Sequence, residues 1–135
     1  MDRALDSLSS SLKPLVFELL ARLIEAGVPV LIVQTGRTAA EHAHNLSTGA
    51  SAITLSKHLP RQMRGYIEGS AEDSKCDAID LCPYETYQLA GPDKLQWDTA
   101  TPEARRAFDA IGTVAEALGL RWGGRWRTPH DPGHV

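Results

Sequence analysis

Three short stretches of the chain carry residue types that bind metals and move protons. Ser56-Lys57-His58 offers an imidazole, Cys76 through Pro83 offers a carboxylate at Asp80, and Asp131-Pro132-Gly133-His134 offers a second imidazole and a second carboxylate. A catalytic zinc takes three protein ligands from His, Asp, Glu or Cys and leaves one position for water. His58, Asp80 and His134 read as those ligands, and Asp131 as a general base beside them. Peptide hydrolysis at a metal needs a Lewis acid that lowers the pKa of water to about 7 and polarises the carbonyl. It also needs a base that takes the water proton and passes it to the leaving amine, and a cation for a substrate carboxylate or the developing oxyanion. Arg37 fits the cation. The helical H-E-x-x-H pair is absent, so the chain is not a zinc peptidase of that class.

Each of these residues needs an element to hold it. Leu12, Leu15, Val16, Leu19, Leu20, Leu23 and Ile24 recur at steps of three and four, which predicts an amphipathic helix with Ser11 as N-cap and Gly27 as its stop. Val28 to Thr35 is β-branched and almost uniformly apolar, the pattern of a buried strand. Gly36-Arg37 ends it. Thr38-Ala39-Ala40-Glu41 then has the form of a capping box, so a short helix should run through His42 to about Leu46 and end near Gly49. Arg37 therefore stands at a strand-to-helix corner, either reaching into a cleft or solvated at the surface. His42 and His44 are two apart and do not share a helix face, so each reads as a single packed or exposed imidazole.

Ser51 to Leu55 reads as a short strand or extended run, and Pro60 bars a helix at His58-Leu59. Arg61 to Lys75 reads as a long loop with room for one turn of structure, functional or merely surface decoration. Cys76 to Cys82 predicts a strand with Ala78 and Asp80 on one face and Ile79 and Leu81 on the other. A carboxylate in the middle of an apolar strand is expensive unless it is paired or metal-bound, which singles out Asp80. Along such a strand the two cysteines lie about 20 Å apart, beyond the ~7 Å a disulfide tolerates. They read either as small buried side chains or as thiolate ligands. Gly91 to Lys94 is a turn, and Thr101-Pro102-Glu103 opens a last helix with Phe108, Ile111, Val114, Ala115 and Leu118 on one face and Gly119 as its stop.

At 135 residues the chain predicts one domain, 1–135. Its net charge of −3, with acids and bases interspersed, argues against a nucleic-acid partner. No apolar run is long enough to span a bilayer, and no basic region followed by an apolar one marks a secretory signal. The expectation is a monomer made in the cytoplasm.

The chain resembles the D-alanyl-D-alanine carboxypeptidase and L-alanyl-D-glutamate endopeptidase family of zinc peptidases, especially its phage endolysin branch. Thr35-Gly36-Arg37-Thr38 looks like the family's strand-end arginine motif, Ser56-Lys57-His58 like its S-x-H, and Ser74 to Leu81 like its A-x-D-[LIV] block. Leu118 to Trp126, followed by Asp131 to His134, looks like its L-G-x-x-W-G-G-x-W…D-x-x-H ending. The resemblance runs from about Val28 to the last residue. It implies a small α+β domain, a central antiparallel sheet flanked by helices, with a zinc site in a surface cleft. It puts one Zn2+ on His58, Asp80 and His134, the acid/base role on Asp131, and substrate binding on Arg37 and Ser56. The implied substrate is the peptidoglycan stem peptide, cut at the L-Ala-D-Glu bond. The alternatives are a D,D-carboxypeptidase and an inactive zinc-bearing cell-wall-binding module. Three departures stand out: Leu59 to Ile79 separate His58 from Asp80 where the family often has only a few residues, though some phage members carry a longer spacer; Gly36 stands where members often have an aromatic; and His42 stands where many have Gln.

Overall fold

The computed structural model describes residues 1–51, 55–84, 101–126 and 130–135. Most of the extended run expected at Ser51 to Leu55 and the whole turn expected at Gly91 to Lys94 lie outside the described residues. The described residues form an α+β fold of three helices and a two-stranded sheet: α1 (Lys13–Glu25), β1 (Val30–Gln34), α2 (Ala39–Thr48), β2 (Asp80–Pro83) and α3 (Pro102–Ala117). Short 3-10 turns join them. By contact density the chain divides into two compact units, one of Met1–Lys13 with Gln34–Ile79 and one of Pro14–Val33 with Asp80–Val135.

In the second unit, α1 buries Val16, Leu19 and Leu23, and α3 buries Ala104, Phe108, Ile111 and Ala115. The stripe on α1 is narrower than its periodicity suggests. Ile24 lies about 100° around the helix from Leu23 and is 75 % exposed. Thr101 caps α3 by accepting from Ala104 N, with Pro102 in the first turn, as its sequence dictates. The N–H of Tyr84, just after β2, donates to the carbonyl of Pro29, just before β1. The end of one strand thus meets the start of the other, and the pair is antiparallel.

In the first unit, the capping box forms as expected. Glu41 N donates to Thr38 Oγ1 and Thr38 N to Glu41 Oε1, both at 3.1 Å. Ser11 is not the cap of α1. The carbonyl of Ser9 accepts from both Leu12 N and Lys13 N, so a turn at Ser9 leads into the helix. The strand expected from Cys76 begins only at Asp80. Cys76 instead makes a parallel bridge with Leu8, its N–H on the Ser7 carbonyl and its carbonyl accepting from Ser9 N. Asp77 N is taken by the Lys57 carbonyl. With their backbone groups committed there, residues 76 and 77 cannot extend the ladder of β2.

The Arg61 to Lys75 stretch is a loop that holds two short 3-10 turns, Arg61–Arg64 and Ala71–Ser74. Asp77 anchors it, accepting from Arg64 Nη2 at 2.7 Å, from Arg61 Nη1 at 3.3 Å and from Ser9 Oγ. Burial pushes the Asp77 carboxyl up, but Ser9, Arg64 and Arg61 together outweigh it and hold it below the ordinary carboxylate value. Both cysteines are reduced and buried, and burial pushes the Cys76 thiol up, away from thiolate chemistry.

Candidate metal centre

The C-terminal tail of the second unit is built on Gly123. Gly123 N donates to the His134 carbonyl at 2.8 Å, and the Gly123 carbonyl accepts from Asp131 N at 3.1 Å. A Cβ at position 123 would lie 2.2 Å from the Asp131 carbonyl oxygen and 3.0 Å from the His134 Cβ, so only glycine admits the tail. The indole N–H of Trp122 donates to the Pro132 carbonyl at 2.8 Å. The Trp126 ring stands 4.9 Å from the His134 ring, centroid to centroid. This is the physical content of the W-G-G-x-W motif: two aromatics and a glycine shape a seat for Asp131 to His134.

The seat delivers His134 to the start of β2. Leu81 N donates to the Gly133 carbonyl at 2.8 Å, and Asp80 and His134 form an antiparallel bridge. Their side chains meet, His134 Nδ1 lying 3.1 Å from Asp80 Oδ1. Two ligands on a tetrahedral zinc, each about 2.0–2.1 Å from the metal, are separated by about 3.3 Å. At 3.1 Å the two side chains are within direct hydrogen-bonding distance, a separation that two ligands of one ion also take, and imidazole plus carboxylate is a donor set that zinc accepts. Asp80 is the first residue of its strand, not a central one, and it is partly accessible.

The first unit carries His58 and Arg37. His58 is buried, and its Nδ1 stands 2.6 Å from the Thr35 carbonyl. A carbonyl can only accept, so Nδ1 bears a proton. This is the arrangement by which protein carbonyls orient a metal-binding histidine. Ser56 Oγ accepts from His58 N at 3.2 Å, closing the tight turn of S-x-H.

Arg37 is held at the corner after β1. Its Nε and Nη2 both donate to Gln34 Oε1, at 3.1 and 2.8 Å. Its Nη1 approaches His42 Nδ1 at 3.4 Å and Ser56 Oγ at 3.5 Å. Arg37 is half-buried, not a solvated surface residue. His42 is buried and His44 exposed, so the two imidazoles do not act together. Gln34 and the contact of His42 with Arg37 escaped the sequence reading. The capping box was the available signal, because it fixes the phase of α2 and puts His42 one turn above the corner.

The residues whose types suit a metal ion are His58 in the first unit and Asp80 and His134 in the second. Asp131 sits in the turn three residues before His134, its carbonyl accepting from His134 N at 3.2 Å.

Comparison with known proteins agrees with this geometry. Residues 74–135, a little under half of the chain, match the family model described as D-alanyl-D-alanine carboxypeptidase. The crystal structure of the L-Ala D-Glu endopeptidase ChiX of Serratia marcescens is similar in fold. It aligns with a TM-score of 0.61 at 18 % identity over 96 % of this chain and 80 % of that one. The comparison with curated proteins finds no match. The family match covers the C-terminal motifs, and the structural match is one of fold.

Proposed function

We propose that the chain is a zinc-dependent hydrolase of the peptidoglycan stem peptide that cuts the L-Ala-D-Glu bond, with one zinc held by His58, Asp80 and His134. The observation that carries this reading is the Asp80–His134 pair, 3.1 Å apart and seated beside Asp131. The metal supplies an ionisable water and a Lewis acid for the scissile carbonyl. Asp131 takes the proton of the attacking water and hands it to the leaving amine. Arg37 holds a carboxylate of the stem peptide or steadies the oxyanion, and Ser56 supports substrate binding by backing Arg37. The chain works as a monomeric, single-domain endolysin, made in the host cytoplasm and reaching the wall on release.

One observation favours a second reading. The matched family model is described by carboxypeptidase activity, which would make the chain a D,D-carboxypeptidase. Purified cell walls separate the two. An endopeptidase at L-Ala-D-Glu clears turbidity and releases peptides with a new amino-terminal D-Glu by mass spectrometry. A carboxypeptidase releases free D-alanine with no clearing. Walls left unchanged by the zinc-loaded protein would point to a binding module and against both.

A further inference from the structure

Both site groups of the first unit hang from three consecutive residues. The Thr35 carbonyl holds His58 Nδ1, Arg37 N donates to the His58 carbonyl at 2.9 Å, and Gly36 lies between them. This corner is fastened to the N-terminal arm. Thr35 N donates to the Asp2 carbonyl at 2.8 Å. The Asp2 carboxylate accepts from Ser7 Oγ and from Ala4 N, folding the arm into a compact turn. A Cβ at position 36 would lie 2.7 Å from Asp2 Oδ2, while its next contact, Ser7 Cβ, would be an ordinary 3.6 Å away. The backbone at Gly36 has no left-handed φ that would itself demand glycine. The missing side chain at 36 therefore makes room for one thing, the carboxylate of Asp2. Asp2, Gly36, Arg37 and His58 also line one cavity of this unit.

We propose that Asp2 is a positioning residue for the site: its carboxylate, seated over Gly36, fixes the Thr35-Gly36-Arg37 corner and through it the His58 ring and the Arg37 guanidinium. The burial of Asp2 pushes its carboxyl up, but the Ser7 hydroxyl, the Ala4 amide, the Thr35 hydroxyl and the Gly36 amide together outweigh this and hold it below the ordinary carboxylate value. The inference rests on the metallopeptidase reading, because it gives His58 a metal to bind.

The test compares Asp2→Ala, Gly36→Ala and the double variant with the parent protein. Zinc affinity is measured by chelator competition, and kcat and KM on a soluble stem-peptide substrate. Circular dichroism serves as the check on folding. Asp2→Ala should weaken zinc binding by about tenfold, the lower end of the range for groups that orient metal ligands, with a comparable loss in kcat/KM. Gly36→Ala should do the same, because the new methyl group expels the carboxylate. The double variant should be no worse than either single one, since both remove the same contact. Losses that multiply in the double variant would overturn the inference, as would an Asp2→Ala protein with the zinc affinity and turnover of the parent. If Gly36→Ala does not fold, the Asp2→Ala comparison decides alone. A parent that takes up no zinc would sink the metallopeptidase reading and this inference together. A parent that binds zinc, with an indifferent Asp2→Ala, sinks only this inference.

Discussion

The Asp80 carboxylate and the His134 imidazole meet at 3.1 Å across an antiparallel bridge between the same two residues. One backbone register thus sets both ligands at once. The register is fixed from two sides, by Leu81 N on the Gly133 carbonyl and by Gly123 N on the His134 carbonyl, both at 2.8 Å. Because backbone and not side-chain adjustment makes the pair, it should be sensitive to changes that never touch a ligand. Gly123→Ala places a methyl group 2.2 Å from the Asp131 carbonyl oxygen, a backbone atom that cannot swing away. We expect this variant to lose zinc and activity together, with a loss of stability of about 1–3 kcal/mol from overpacking. Elemental analysis and urea denaturation check it. Retained zinc at parental stability would mean that the tail is not clamped as described.

Asp131→Asn separates base from ligand. Asp131 is not one of the three proposed ligands, so this variant should keep its zinc. Its rate should fall on the order of 100-fold or more, as for other lost acid/base groups. Wall clearing at the parental rate would move the role to another residue, His130 being the nearest in sequence.

Arg37→Lys tests the clamp. Two guanidinium nitrogens share Gln34 Oε1 while a third reaches toward His42 and Ser56. A lysine ammonium cannot reproduce this fork. Fold and zinc content should survive, and turnover should fall by about tenfold, equivalent to about 1.4 kcal/mol of transition-state stabilisation. Equal steady-state rates on a defined muropeptide would remove Arg37 from the mechanism.

Asp77 makes a prediction about acid. Its carboxyl is held below the ordinary value of 3.8 in the folded protein. A depressed folded pKa contributes stability that is fully present above the unfolded pKa and lost as pH falls through the folded one. Asp2 acts in the same direction. The melting temperature of the metal-free protein should therefore hold steady above about pH 5 and drop below about pH 4. Asp77→Asn should melt lower at neutral pH and show a shallower acid drop. A parallel pair of curves would show that Asp77 does not anchor the 61–75 loop electrostatically.

The legible part of this protein was what local pattern and residue chemistry dictate. The capping box at Thr38 and Glu41 and the apolar faces of α1 and α3 follow from residue type and spacing. What stayed hidden depends on partners remote in sequence. Cys76 and Asp77 have strand-like neighbours, but their backbone groups pair with Ser7, Ser9 and Lys57, so β2 starts at Asp80. Ser11 has a capping side chain, yet the turn forms on Ser9, whose hydroxyl is tied to Asp77. Gly36 is explained by Asp2, more than thirty residues earlier, whose carboxylate lies against it.

The central claim is that His58 joins Asp80 and His134 on one zinc, and the zinc content of His58→Ala tests it most directly. Measured by elemental analysis after dialysis against a weak chelator, the parent should hold one zinc per chain and His58→Ala essentially none, with the fold retained by circular dichroism. A His58→Ala protein that keeps full zinc occupancy would contradict the assignment.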